Sequence, residues 1–148
     1  MVLPALLLAL SPAAPAPQLP QFREQAGLLP GTRHWANGVT AADVDGDGDL
    51  DLLFAEGDGY LGPGAERQNV LIVNLLVETS VLAFADESVA RLGAHESHAQ
   101  KVLVGDVTGD GWVDLIYLNA FHTDPPHLYV NRGAAAPGFF TMESALRG

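Results

Sequence analysis

The stretch Asp43-Val-Asp-Gly-Asp-Gly-Asp-Leu-Asp51 places five aspartates in nine positions, with two glycines between them. Carboxylates this close repel one another, and each close pair costs on the order of 1 kcal/mol even at high dielectric. A bound cation would remove that repulsion. The alternative is a turn that holds no metal, since Asp and Gly favour turns on their own.

The spacing of these aspartates fits a hard cation that is bound by oxygen atoms. Gly46 and Gly48 let the chain curl with φ values that a β-carbon would oppose. Because the stretch has no His or Cys, and because Mg²⁺ keeps much of its water, Ca²⁺ fits better than zinc or magnesium. The expected ligands are the side chains of Asp43, Asp45, Asp47 and Asp51 and the backbone carbonyl of Asp49.

An EF-hand is excluded by the twelfth position of the stretch, which an EF-hand fills with a bidentate Glu. Phe54 stands there instead. The apolar run Leu52–Ala55 also follows immediately, which predicts a strand where an EF-hand has a helix.

The stretch recurs 63 residues later as Asp106-Val-Thr-Gly-Asp-Gly-Trp-Val-Asp114. Each copy leads into an apolar run, then a second apolar run that ends in Asn, then a segment that contains Phe. Thr108 replaces one aspartate, so the second copy predicts a weaker calcium site. The matching segments are Leu52–Ala55, Asn69–Asn74 and Phe84–Ser88 in the first copy, and Leu115–Leu118, His127–Asn131 and Phe139–Ser144 in the second, with a further Phe segment opening at Phe22.

The secondary structure is expected to be β, since short runs of Val, Leu, Ile, Tyr and Phe alternate with turn-forming clusters such as 57–63 and 123–126. A helical turn is predicted only over Glu87–Leu92. About four short strands per repeat of about 60 residues favour an all-β fold of two four-stranded propeller blades over a sandwich. Periodicity alone does not separate the two folds.

These motifs together resemble the FG-GAP/VCBS repeat of secreted calcium-binding β-propellers, which is related to repeats of cartilage acidic protein and of integrin α-subunit heads. The resemblance covers Phe22 to about Glu143. The literal FG and GAP signature is absent, so the bacterial type of repeat matches better. In this family the ion lies in a loop between strands of a blade. For the second copy the resemblance implies the ligands Asp106, Thr108, Asp110 and Asp114, with Trp112 acting through its carbonyl.

Composition limits the partners and the compartment. The 148 residues carry a formal net charge of −11, which argues against nucleic acid or an anionic membrane surface as a partner. There is no cysteine, hence no disulfide or thiolate site. Residues 1–16 are expected to be a signal peptide and 17–21 a linker, which predicts a secreted or extracellular protein. The absence of Lys or Arg before the apolar run leaves a disordered start as the alternative.

No catalytic motif is found, and a non-enzymatic role is expected. His95 and His98 are one residue too close for a zinc-binding helix motif, and they are interpreted as loop residues. His34, His122 and His127 are scattered among turn residues and indicate no site. Trp35 and Trp112 are interpreted as packing residues rather than a sugar-stacking surface.

Two functions follow from the resemblance. The first is a binding or adhesion module for an extracellular protein or glycan. The second is an ancillary part of a secreted enzyme, such as a polysaccharide lyase or phospholipase-type hydrolase, whose catalytic residues lie outside this chain. Two repeats, 22–83 and 84–148, cannot close a ring. Further blades of a longer chain, or other copies of the chain, are therefore expected as partners.

Overall fold

A computed structural model describes residues 23–25, 27–30, 35–58, 64–120 and 125–143 of the chain. The predicted signal peptide and linker lie outside these ranges, as do Phe22, His34 and His122. The strands are β1 (Ala36–Ala42), β2 (Asp51–Glu56), β3 (Arg67–Gln68), β4 (Val70–Asn74), β5 (Phe84–Asp86), β6 (Glu96–Ser97), β7 (Ala99–Gly105), β8 (Asp114–Asn119), β9 (His127–Asn131) and β10 (Phe140–Met142). The helices are α1 (Leu76–Thr79), α2 (Ser88–Leu92) and a 3-10 helix at Gly133–Ala135.

The strands form two four-stranded antiparallel sheets and one small ribbon. Sheet 1 has the order β1-β2-β4-β5, sheet 2 has the order β7-β8-β9-β10, and β3 pairs with β6. The prediction of an all-β fold is confirmed, and the apolar runs expected to be strands are β2, β4, β8 and β9. No closed ring is formed by the described residues.

The first two strands of each sheet pair in equivalent registers. In sheet 1 the pairing shifts between Ala36 and Gly38, and in sheet 2 it shifts between Ala99 and Lys101, which lie 63 residues further along. Loop 1 (residues 43–50) joins β1 to β2, and loop 2 (residues 106–113) joins β7 to β8. Both loops therefore leave and enter their sheets at equivalent positions.

A single apolar core lies between the two sheets. Leu53 and Leu71 pair across β2 and β4 and belong to this core, and so do Leu115 and Tyr129, which pair across β8 and β9. In the second repeat, the residue equivalent to Leu53 is Ile116, 63 residues further along. Ile116 does not face the core: it lies on the opposite face of sheet 2 from Leu115 and is only partly buried. The face of sheet 1 that packs in the core is therefore not equivalent to the face of sheet 2 that packs there. Each sheet also has a second apolar face that lies outside this core.

Strands β1 and β7 lie side by side at one edge of this core. The hydroxyl of Thr40 donates to the carbonyl of Val102 at 3.1 Å, and the amide of Asn37 donates to the carbonyl of Ala99 at 2.9 Å. Both pairs are separated by 62 residues, so the strands run in the same direction. Gly38 allows this approach, since a β-carbon there would lie only 2.9 Å from the carbonyl oxygen of Gln100.

The helices and some of the strands differ in detail from what the sequence indicated. The helical turn predicted over Glu87–Leu92 is present as α2, but α1 was not expected. Strand β5 pairs with β4 and therefore belongs to sheet 1. Residues 23–25 and 27–30, next to the Phe segment at residue 22, contain no strand. Strand β1, Ala-Asn-Gly-Val-Thr-Ala-Ala, has weak intrinsic β propensity and forms through its pairing with β2.

Candidate metal centre

The aspartates of loop 1 fold the loop around their own carboxylates. Asp43 accepts hydrogen bonds from the backbone N–H of Gly46 at 2.8 Å and of Gly48 at 3.1 Å. Both glycines have positive φ, 77° and 100°, a region that an L side chain disfavours. Asp47 accepts from the N–H of Asp49 at 2.9 Å. The loop is therefore shaped locally by its Asp and Gly pattern.

Asp51, the last aspartate of the stretch, is buried at the start of β2 with 1% exposure. Its Oδ2 accepts from the N–H of Val44 at 3.1 Å, and its Oδ1 accepts from the N–H of Asn74 at 2.9 Å. Burial raises the pKa of Asp51 to about 6, against the opposing effect of these two hydrogen bonds, and the charges of Asp45 and Asp49 raise it further. A neighbouring cation would relieve this unfavourable environment.

Three carboxylates meet beside loop 1. Asp43, Asp45 and Asp51 each offer an oxygen atom, and these atoms lie within 4.8 Å of one another. Oδ1 of Asp45 is buried and has no hydrogen-bond partner. A buried acceptor without a donor is unfavourable, and a cation would supply what it lacks. This cluster, called the inner cluster below, could hold a metal ion.

The inner cluster is joined to α2 by the pair between Arg91 and Asp45. A guanidinium nitrogen of Arg91 lies 2.9 Å from Oδ2 of Asp45, and the side chains of both residues are nearly buried. Burial disfavours the charge of Arg91, but its hydrogen bonds to Glu87 and Asp45 raise its pKa above the ordinary value. The guanidinium also lies 5.1 Å from the ring centre of Phe139, which immediately precedes β10. Asp45 thus faces Arg91 through one oxygen and keeps the other unpaired.

Asp47 and Asp49 form a separate cluster with Glu78 of α1, called the outer cluster below. Their oxygen atoms also lie within 4.8 Å of one another. The predicted ligands of loop 1 are therefore divided between two clusters, with Asp43, Asp45 and Asp51 on one side and Asp47 and Asp49 on the other. Sequence reasoning missed Glu78, because it lies far along the chain in a helix that the composition did not indicate.

Loop 2 repeats the hydrogen bonds of loop 1 but not its clusters. Asp106 accepts from the N–H of Gly109 at 2.6 Å and of Gly111 at 2.9 Å, and Asp110 accepts from the N–H of Trp112 at 2.9 Å. Backbone hydrogen bonds, from Gly111 and then Gly109, lower the pKa of Asp106. Asp114 accepts from the N–H of Val107 at 3.0 Å.

The predicted ligands of loop 2 do not converge as those of the inner cluster do. The hydroxyl of Thr108 lies 3.4 Å from Asp106. Among the described residues, the groups of three or more acidic, His or Cys side chains with ligand atoms within 4.8 Å are the inner and outer clusters. No such group includes Asp106, Asp110 or Asp114, and Trp112 contributes no carboxylate.

Of the histidines that the structure describes, none belongs to these clusters. His98 is buried and hydrogen-bonds through Nε2 to the carbonyl of Gly64 at 3.0 Å. His95 and His127 have their rings 6.2 Å and 6.4 Å from that of Tyr129. The structure gives these side chains packing and backbone contacts.

The two tryptophans differ in their surroundings. Trp35 is 60% exposed. Trp112 of loop 2 lies over Gly46 of loop 1, since a β-carbon on Gly46 would lie 3.0 Å from its ring. A cavity of about 490 Å³ lies between the two loops, lined by Asp43, Val44, Gly46 and the segment Gly111–Val113 among others.

Comparisons of the chain with protein-family models, with curated proteins and with solved structures find no match. Of the helices in the described ranges, none has the length and apolar character that crossing a membrane requires.

Proposed function

We propose that the chain is a non-catalytic, calcium-binding β-sheet module of a secreted protein, and that calcium at the inner cluster holds loop 1 in place. The observation that supports this most is the convergence of Asp43, Asp45 and Asp51 within 4.8 Å, with Oδ1 of Asp45 buried and unpaired. Arg91 neutralises only one of these three carboxylates. The remaining negative charge favours a divalent cation.

Calcium fits this donor set better than other common metals. All three ligands are carboxylates, which are hard oxygen donors, and neither His nor Cys belongs to the cluster. Calcium also tolerates irregular coordination, whereas magnesium requires a near-ideal octahedron and dehydrates reluctantly. The ion would be structural. Two of its ligands, Asp43 and Asp45, flank Val44, which is fully buried in the core between the sheets.

We further propose that the two sheets are neighbouring blades of a β-propeller. Support comes from the parallel approach of β1 and β7, from the shared strand order, and from the different faces that the sheets turn to each other. The outer face of sheet 2 carries Leu103, which is 40% exposed, and the partly buried Ile116 and Leu118. Further blades of a longer chain, or other copies of this chain, would cover such a face.

The binding role rests on the resemblance to FG-GAP/VCBS repeats described above. In this proposal calcium stiffens the ends of the sheets, and the loops present a surface to an extracellular protein or glycan. The negative net charge of −11 favours partners that are neutral or basic over nucleic acid.

The experiment is a calcium titration of the full chain by isothermal calorimetry, paired with thermal unfolding in chelator and in about 1 mM Ca²⁺. A site with a dissociation constant of about 10 µM would add about 2.7 kcal/mol of stability at that concentration. Magnesium at equal concentration should stabilise much less. Asp43→Asn should abolish the tightest binding event. Asp106→Asn, the matched change in loop 2, should leave that event in place. An unfolding curve that chelation leaves unchanged would refute the proposal.

A further inference from the structure

The outer cluster joins loop 1 to α1, and it shares no residue with the inner cluster. Asp47 and Asp49 come from loop 1, and Glu78 comes from the helix that follows β4. The N–H of Val77 donates to Oδ2 of Asp49 at 3.1 Å, so the helix already lies against the loop. Three carboxylates from two separate segments of the chain therefore converge.

Two carboxylate oxygens in the outer cluster are buried without a hydrogen-bond partner. Asp49 is only 8% exposed, and its Oδ1 has no donor. Oδ2 of Asp47 is buried and unpaired as well, while Oδ1 of Asp47 accepts from the N–H of Asp49. An unsatisfied buried acceptor costs about 1–3 kcal/mol, and more when it carries charge. Such atoms require a donor or a cation.

No basic side chain in the described part of the chain meets this requirement. The ion pairs seen there join Arg67 to Asp58 and join Arg91 to Asp45 and Glu87. Among the described residues, the inner cluster has Arg91 beside it, whereas no basic side chain forms an ion pair with the outer cluster. The two unpaired oxygens favour a bound ion, and no basic side chain of the described residues pairs with these carboxylates.

We propose that Asp47, Asp49 and Glu78 form a second cation site, distinct from the inner cluster, that takes a hard divalent cation such as Ca²⁺ through carboxylate oxygens. The bound ion fastens α1 to loop 1. Among the described residues, sheet 2 has no equivalent cluster, because Trp112 stands where loop 1 has Asp49. The short helix after β9, at Gly133–Ala135, also carries no acidic residue.

The test is calcium calorimetry of the full chain with Glu78→Gln. Glu78 is exposed, so the change should leave the fold intact, and thermal unfolding in chelator checks this. The exposed Glu66, which belongs to neither cluster, provides the matched control Glu66→Gln. We expect Glu78→Gln to remove one bound ion, or to weaken that binding event about tenfold or more. Calcium should also slow amide exchange in α1 of the wild type and of the control, but not of Glu78→Gln.

A second variant distinguishes calcium binding at the outer cluster from binding at the inner cluster. Asp43→Asn removes a ligand of the inner cluster only, so the event that depends on Glu78 should persist in it. If Glu78→Gln binds calcium with the stoichiometry and affinity of Glu66→Gln, the second site is refuted while the inner site stands. If the only calcium binding depends on Glu78, the inner site is refuted and the second site stands. Absence of calcium binding to the wild type overturns both.

Discussion

Loops 1 and 2 have the same length and nearly the same hydrogen bonds, yet their surroundings differ. Val44 of loop 1 is completely buried, whereas Val107, at the same position of loop 2, is 50% exposed. Asp45 of loop 1 pairs with Arg91. Thr108, at the equivalent position of loop 2, contacts Asp106 within its own loop. The backbone shape of such a loop is thus a local property of its sequence. Its burial and its charge environment depend on whether another sheet packs against it.

Two equivalent asparagines show the same contrast. The side-chain amide of Asn131 donates to the carbonyl of Val113 in its own sheet at 3.1 Å, and to that of Val44 in loop 1 at 2.9 Å. Asn74, which likewise ends the third strand of its sheet, donates to its own Leu50 at 3.3 Å. Asn131 therefore connects the sheets, and Asn74 holds only its own sheet together.

The largest effect is expected for Arg91→Met in calcium-free buffer. This change removes a nearly buried guanidinium and leaves Asp45 and Glu87 without their partner. Breaking a buried pair in this way costs about 3–5 kcal/mol. Arg67→Met removes a much more exposed pair with Asp58 and should cost less than about 1 kcal/mol. Urea unfolding of both variants measures the difference, and equal costs would contradict the role given to Arg91.

Asn131→Ala should destabilise the chain by about 2 kcal/mol more than Asn74→Ala. The first change leaves the carbonyl of Val44 without its donor in the core, and the second affects bonds within sheet 1 only. Chemical denaturation of the two variants tests this comparison. Similar losses would mean that the contact between Asn131 and loop 1 contributes little.

The pH dependence should distinguish Asp51 from Asp106. The pKa of Asp51 is raised from 3.8 to about 6, so the folded state holds an extra proton between these values. The contribution of Asp51 to the free energy of unfolding therefore falls as pH rises through this range, by about 3 kcal/mol. The lowered pKa of Asp106 acts in the opposite direction: its contribution is present above the ordinary pKa and lost as pH falls.

An NMR titration of the carboxyl groups, in buffer that contains a chelator, measures the pKa values of Asp51 and Asp106 separately. Asp51 should titrate near pH 6 and Asp106 below the ordinary range of aspartate. A bound cation would lower the pKa of Asp51, so the titration should shift down in calcium. Titration of Asp51 at or below its ordinary pKa in the absence of metal would contradict the burial argument.

The smallest effect compares Val44→Ala with Val107→Ala. Removing two methyl groups from the buried Val44 should cost about 1.5 kcal/mol, and removing them from the half-exposed Val107 should cost less than about 0.5 kcal/mol. Thermal unfolding measures both. If Val107→Ala proves as costly as Val44→Ala, then loop 2 is covered in solution by another sheet, as the blade proposal requires of the assembled protein.

The sequence predicted the parts of the fold that depend on local pattern. The apolar runs became β2, β4, β8 and β9, and both aspartate loops form where the Asp and Gly spacing indicated. Strand β1 was missed because its residues, Ala36–Ala42, carry little β propensity and depend on a neighbouring strand. The division of loop 1 between two clusters was also missed. The inner cluster lies beside Arg91 and the outer cluster includes Glu78, and no pattern within the aspartate stretch points to either residue.

The position of Trp112 gives the chain an internal optical reporter. Its indole lies over Gly46, so a fluorophore from one loop senses the conformation of the other. Trp35 is largely exposed, and Trp35→Phe would leave Trp112 as the sole tryptophan of the chain. Emission from that variant would follow rearrangements of loop 1 during a metal titration without any attached dye. Its intensity and wavelength would report whether the two loops stay in contact.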